Sequence, residues 1–222
     1  MVQQPPAADA ASSPRPTAAA WAFADGWLED DEALRTALAR GIELDCLPVS
    51  GATAALLGVL AAAVQAKNVV EVGTGTGLSA AGLFRGMDAD GVLTSIDEEA
   101  ENQRAARELL TTMDIDHVRI RLIAGRGLEV LARLTDGAYD LAFINGDPVE
   151  YPAMLHQVQR LLRPGGMVVL AGVQPESSAG GRTPEALAIT EVLGTVRDAD
   201  HWLPALLPVG SGLLAAVLRP TP

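Results

Sequence analysis

The stretch Glu71-Val72-Gly73-Thr74-Gly75-Thr76-Gly77 is the first place in the chain where residue type and spacing could do chemistry. Glycines let a backbone turn sharply and let a ligand approach with no Cβ in the way. The plainest reading is a tight strand-to-helix turn. A phosphate-cradling P-loop would end in Gly-Lys-Ser/Thr, whereas Gly77 is followed by Leu78 and Ser79. The dinucleotide fingerprint needs its third glycine three residues after the second, and that position is Leu78. What remains is a glycine loop suited to a nucleoside ligand without a cradled pyrophosphate. Asp97 closes the run Leu93-Thr94-Ser95-Ile96-Asp97. A carboxylate there can accept hydrogen bonds from both hydroxyls of a ribose, each charge-assisted bond contributing roughly 1.5–3 kcal/mol. Its other role would be a helix cap, because Glu98, Glu99 and Glu101 follow.

Such residues need a scaffold that delivers them to one edge. Short apolar runs at Val69–Val72, Val92–Asp97, Val118–Ile123, Tyr139–Ile144 and Met167–Leu170 read as strands buried on both faces. Helical segments alternate with them: Leu78–Phe84, Glu98–Met113, Gly127–Leu134, a helix carrying Met154, Val158, Leu161 and Leu162 that Pro164-Gly165-Gly166 stops, and Thr183–Val196. Strict alternation implies parallel strands with right-handed crossovers, hence an α/β, doubly wound, mostly parallel sheet of seven strands in three layers. The last two strands, Trp202–Leu207 and Leu213–Leu218, have no helix between them and can pair antiparallel. Ahead of this core, Trp21, Phe23, Trp27 and Leu28 suggest a short helix. Leu34, Leu38 and Ile42 recur at helical spacing after the acidic run Glu29–Glu32. Leu56, Leu57, Leu60 and Val64 mark a third helix, with Ser50 and Thr53 as caps. The expected organisation is a disordered tail over residues 1–17, helices over 18–66, and a core over 67–222 that folds with those helices. In open sheets of this kind ligands sit beyond the carboxyl ends of the strands.

Composition narrows the partners. The 222 residues are 49% apolar and 20% charged, the balance of one globular domain. Sixteen Lys and Arg against 28 Asp and Glu leave a net charge of -12, with no electrostatic footprint for nucleic acid or an anionic membrane. Cys46 is the lone cysteine, which excludes a disulfide framework and fits a reducing, cytoplasmic setting. The longest apolar stretch, Ala54–Val64, is interrupted by Gly58 and is too short for a membrane span of roughly 20 residues. The N-terminal stretch lacks a basic leader and a Leu/Val-rich core, so no signal peptide is expected.

Glu71 to Gly77, Asp97, Gly125-Arg126-Gly127, Phe143-Ile144-Asn145-Gly146-Asp147 and Leu161-Leu162-Arg163-Pro164-Gly165-Gly166 together resemble the class I S-adenosylmethionine-dependent methyltransferases. More narrowly, the chain is similar to the small O-methyltransferases of the catechol and caffeoyl-CoA type, from about Val49 to the C-terminus. The resemblance implies that Gly73, Thr74, Gly75 and Ser79 hold the methionine part of S-adenosylmethionine, or of its product S-adenosylhomocysteine. It implies that Asp97 holds the ribose, that Arg126 and Gly127 border the adenine, and that Glu71 lies under the glycine loop. Val49 and Ser50 would close over the cofactor, with Asn145 beside it, and a homodimer is expected.

The chain departs from the pattern where this family holds a metal. Members usually carry Asp-Ala-Asp-Lys-x-x-Tyr after the fourth strand, and here the stretch is Asn145-Gly146-Asp147-Pro148-Val149-Glu150-Tyr151. The first Asp, normally a metal ligand, is Asn145, and the Lys near the acceptor oxygen is Pro148. The Asp-Asn ligands after the fifth strand correspond to Ala171-Gly172. Mg²⁺ and Ca²⁺ need several oxygen ligands, carboxylates prominent among them. Asp147, Glu150 and Glu176 could form another site, but nothing in their spacing demands it, so no divalent metal is expected. Methyl transfer then needs another way to weaken the acceptor proton. Asp147 and His156 are the candidate bases, against plainer roles as a turn residue before Pro148 and an ordinary helix position. The polar segment Gln174–Thr183 follows the fifth strand, where an acceptor would enter, as a lid or a plain connection.

The expected function is S-adenosylmethionine-dependent O-methylation of a small hydroxylated acceptor without a metal. The alternative is a protein that binds S-adenosylmethionine or S-adenosylhomocysteine and transfers nothing. A nicotinamide oxidoreductase is disfavoured by the glycine spacing.

Overall fold

The computed structural model describes residues 17–27, 32–174 and 183–220. The expected disorder of residues 1–16, the acidic residues 29–31, Leu28, and the segment 175–182 with Glu176 lie outside that range. Helices α1 (Ala18–Asp25), α2 (Glu32–Glu43) and α3 (Gly51–Ala63) lead into an alternating series. It runs β1 (Asn68–Val72), α4 (Leu78–Gly86), β2 (Val92–Asp97), α5 (Ala100–Thr112), β3 (Ile120–Ala124), α6 (Gly127–Leu131), β4 (Tyr139–Ile144), α7 (Tyr151–Leu161) and β5 (Leu162–Ala171). Helix α8 (Pro184–Asp198) and strands β6 (Trp202–Leu207) and β7 (Leu213–Leu218) complete it.

The seven strands form one sheet in the order β3-β2-β1-β4-β5-β7-β6. Strands β1 to β5 pair parallel with one another, and β7 runs antiparallel to both β5 and β6. This is the doubly wound, mostly parallel sheet that the alternation predicts. Its order reverses at β1, so the ends of β1 and β4 border the crevice where such sheets take ligands. Apolar clusters lie on both faces. Val70, Ile96, Leu161 and Trp202 belong to one, and Leu57, Val69, Leu83 and Leu141 to the other.

Each difference from the sequence expectations has its own physical cause. Strand β3 starts at Ile120, because Asp116 caps a 3₁₀ turn over His117–Arg119 by accepting from the Val118 N–H at 3.1 Å. Pro164-Gly165-Gly166 does not separate helix from strand. Helix α7 already ends at Leu161, and β5 runs through the three residues with a register shift opposite Tyr139 and Leu141. Helices α5 and α6 are shorter than expected. In α2 the buried residues are Ala37 and Gly41, while Leu38 and Ile42 stay exposed. Small residues let α2 approach Leu78, Ala81 and Leu109 closely, a fit that a pattern of large apolar residues does not reveal. Ser50 does cap α3, accepting from the Thr53 N–H at 3.3 Å.

Candidate active site

The carboxyl ends of β1, β2 and β4 open into a cleft of about 1030 Å³. Its floor is the glycine loop. Gly73, Gly75 and Gly77 all have positive φ (90°, 51° and 92°). Gly73 also marks a close approach, since a Cβ there would stand 2.2 Å from the Asn145 carbonyl oxygen. Two backbone bonds fix the loop from either side: the Gly73 N–H donates to Ile96 O at 2.9 Å and the Asn145 N–H to Val72 O at 2.8 Å.

Asp97 points at the loop. Its Oδ2 accepts the Gly75 N–H at 2.9 Å, and its Oδ1 accepts the Glu99 N–H at 2.9 Å and the Asn102 side-chain amide at 3.3 Å. Asp97 thus organises the start of α5, as the cap reading expects, and also lines the cleft. Asn102 escaped the sequence reading. Its only signal is its place five residues beyond Asp97, on the first turns of α5.

Below the loop, Glu71 is fully buried. The Ser95 hydroxyl donates to its Oε2 at 2.5 Å, and Thr74 Oγ1 lies 2.6 Å from Ser95 Oγ. With Ser95 donating to Glu71, Thr74 donates to Ser95, so a relay of hydroxyls joins the buried carboxyl to the cleft wall. Burial pushes the Glu71 carboxyl up to about 7, against the opposing pull of the Ser79 and Ser95 hydroxyls. Ser79 stands close enough for that pull, yet Oε1 closes no hydrogen bond.

Val49, Ser79, Gly127, Asn145 and Asp147 also line the cleft, as does Arg126, whose guanidinium donates to Glu150 Oε1 at 2.7 Å. Thus Gly73, Thr74, Gly75 and Asp97 are brought together with all of these around one cavity, and Glu71 sits directly beneath. His156 is not brought there. It is exposed on α7 and does not line the cleft, whereas Met154 on the same helix does. Asp147 keeps its turn role, accepting the Val149 N–H through Oδ1 at 2.9 Å. The segment Leu44–Val49 also lines the cleft, with Cys46 Sγ beside Gly75. Apart from Val49 it escaped the sequence reading, since it has neither period nor charge pattern.

The positions matching the family's metal ligands do not fit a cation. Asn145 offers one neutral amide, and Ala171 and Gly172 offer no side-chain donor. The Ala171 carbonyl already accepts the buried Tyr151 hydroxyl at 2.9 Å. Burial, and then the charge of Asp147, raise the Tyr151 phenol well above its ordinary range, so it stays a donor. Among the described residues no cluster of three His, Cys, Asp or Glu side chains could hold a metal.

A family model described as O-methyltransferase matches residues 30–199. The chain belongs to the O-methyltransferase family. A Mycobacteroides abscessus protein, provisionally named an O-methyltransferase, is 42% identical over 208 residues, covering 90% of this chain and 95% of its own. Among solved structures, cofactor-bound Rv0187 from MTB shares 28% identity with a TM-score of 0.81, covering 90% of this chain and 96% of its own. TomG from Streptomyces achromogenes, an O-methyltransferase of tomaymycin synthesis crystallised with S-adenosylmethionine, has the same fold. It matches with a TM-score of 0.81 at 24% identity, covering 91% of this chain and 96% of the other.

Proposed function

We propose that the protein transfers a methyl group from S-adenosylmethionine to the hydroxyl of a small acceptor, without a divalent metal. The observation that carries this reading is Asp97, held by the Gly75 N–H so that its carboxylate borders the glycine-floored cleft. In it the adenosine lies between Asp97 and Arg126-Gly127. The methionine part rests on Gly73 to Gly75 near Ser79 and Asn145, with Val49 closing over it. The step is a displacement: the acceptor oxygen forms a bond to the methyl carbon while the carbon–sulfur bond breaks and its electron pair returns to sulfur. The sulfonium charge is lost, and the acceptor proton leaves to a base. Asp147 is the candidate for that base, because it lines the cleft and its backbone contact occupies only Oδ1. His156, exposed on α7 away from the cleft, has no such support.

Calorimetry tests the reading directly. S-adenosylmethionine and S-adenosylhomocysteine should each give saturable heat, and Asp97→Ala should weaken both at least tenfold. Absence of heat at millimolar ligand would sink it. Chelation with EDTA should leave turnover unchanged, and a chelator-sensitive, Mg²⁺-restored rate would refute metal independence.

The enzyme further pairs as a homodimer in the cytoplasm. Val59 on α3 and Leu203 on the edge strand β6 are 64% and 56% exposed. By the alternation of β6, Leu203 faces the side of the sheet that α3 covers, and both residues offer exposed apolar area that a second copy would bury. The cytoplasmic placement rests on the lone Cys46.

A further inference from the structure

Arg126 and Glu150 meet in the wall of the cleft. They immediately precede α6 and α7, yet neither side chain caps its helix. Instead the Arg126 guanidinium donates to Glu150 Oε1 at 2.7 Å. The Glu150 side chain is 20% exposed, against 57% for Arg126. Glu98, just past the end of β2, also approaches the guanidinium, with Oε1 lying 3.9 Å from Nε. Both members of the pair line the cleft, and Arg126 is the lone basic side chain to do so among the described residues.

The fold sets this pair beside Asp97. The Gly125 N–H donates to Asp97 O at 2.9 Å, so Arg126 follows directly on the residue tied to the proposed ribose anchor. The neighbouring wall is backbone and methyl groups. A Cβ at Gly127 would stand 2.7 Å from Val72 Cγ1 and 3.0 Å from Met154 Cε, and one at Gly146 would stand 3.6 Å from each. Bare backbone packed on apolar side chains gives a surface against which a flat ring can lie.

The pair then offers such a ring two functions side by side. Glu150 Oε2 accepts from no described residue, so it is open to an N–H. Arg126 keeps N–H groups beyond the one given to Glu150. An acceptor next to a donor complements adenine, whose exocyclic amine donates beside a ring nitrogen that accepts. Hypoxanthine carries an oxygen in place of that amine, which would face the carboxylate acceptor to acceptor. We infer that Glu150, paired with Arg126, selects adenine as the base of the cofactor: Oε2 accepts from the exocyclic amine and Arg126 donates to the adjacent ring nitrogen. The inference rests on the S-adenosylmethionine reading above and adds which side chains read the base. It also gives the Glu150 carboxylate a use other than holding a cation.

Calorimetry on the full-length protein tests this with S-adenosylhomocysteine and its 6-oxo analogue, S-inosylhomocysteine. The wild type should bind the adenine compound roughly tenfold more tightly or better. Glu150→Gln should cut that ratio to about twofold, because a side-chain amide can turn either to accept from the amine or to donate to the oxygen. Glu150→Ala, which frees Arg126 to donate to the oxygen, should also bring the ratio near unity. The side chain caps nothing, so α7 does not depend on it and either variant suffices if the other fails to fold. A merely structural pair would weaken both compounds alike and leave the ratio at its wild-type value, and that result overturns the inference. Equal affinity of the wild type for the two compounds overturns it as well. Failure of the wild type to bind S-adenosylhomocysteine at all would instead remove the underlying reading.

Discussion

Glu71 is the residue whose placement most constrains how the site behaves. A carboxyl raised from 4.5 to about 7 by burial binds its proton more tightly in the folded chain than in the unfolded one. Below pH 4.5 both states hold the proton. Between 4.5 and about 7 the unfolded state ionises first, so stability falls as pH rises through that window and stays lower above it. Thermal melts of the ligand-free protein should therefore show a decline between pH 5 and 7 that Glu71→Gln flattens. A cationic ligand nearby reverses the preference by stabilising the ionised form. S-adenosylmethionine binding should then release a proton, and its affinity should rise between pH 6 and 8, as calorimetry in buffers of different ionisation enthalpy would show. The acidic residue at the end of β1 is legible in the chain. Its shifted proton affinity is not, because burial and the hydroxyls of Ser79 and Ser95 come from other elements.

At the scale of elements, the close contact between α3 and α4 is what seats the glycine loop. A Cβ at Gly86 would stand 1.8 Å from the Gly58 carbonyl oxygen, and one at Gly82 would stand 2.2 Å from that of Ala54. Backbone atoms cannot yield as a flexible side chain can, so even alanine forces the helices apart. Overpacking typically costs about 1–3 kcal/mol, and each kcal/mol lowers Tm by roughly 2–4 °C in a chain of this size. Gly86→Ala should melt several degrees below wild type, whereas Gly137→Ala, with nothing within 4 Å of its Cβ but a positive φ of 65°, should lose less. The alternation of strands and helices was readable because period and turn residues are local signals. The start of β3, the path of β5 through Pro164-Gly165-Gly166, and the buried face of α2 were not. For β5 and α2 the outcome depends on a partner distant in sequence, the pairing with Tyr139 and Leu141 and the surface of α4 and α5 that admits Ala37 and Gly41; for β3 it depends on the Asp116 cap that holds His117–Arg119 in a 3₁₀ turn.

Charge acts on the whole molecule. The net charge of -12 is concentrated usefully at the cleft, where Asp45, Asp97, Glu98, Glu99, Glu101, Asp147 and Glu150 face Arg126 as the lone basic lining residue among those described. Such a field favours a sulfonium over the uncharged thioether left after transfer. The Debye length is roughly 30 Å at 0.01 M salt and 3 Å at 1 M, so screening grows steeply between them. Raising salt from tens to hundreds of millimolar should weaken S-adenosylmethionine several-fold and S-adenosylhomocysteine much less, a difference that parallel titrations would measure. For the dimer, Leu203→Asp should yield monomers by light scattering while cofactor binding persists. An unchanged mass would sink the proposed interface.

The sheet class, the glycine loop and Asp97 could be recognised from the chain alone, since a fold of alternating elements and a turn without Cβ atoms are written in neighbouring residues. So could the replacement of metal-ligand positions by Asn145, Ala171 and Gly172. Only the tertiary structure decided which of those residues share a cavity. It brought Asn102 and the Leu44–Val49 wall to the cleft and left His156 outside it. It also gave Tyr151 to the Ala171 carbonyl, and opened a second cavity between α1, the start of α3 and the β6–β7 turn. Strand order and helix direction set those meetings, and both follow from burial summed over the whole sheet rather than from any one segment.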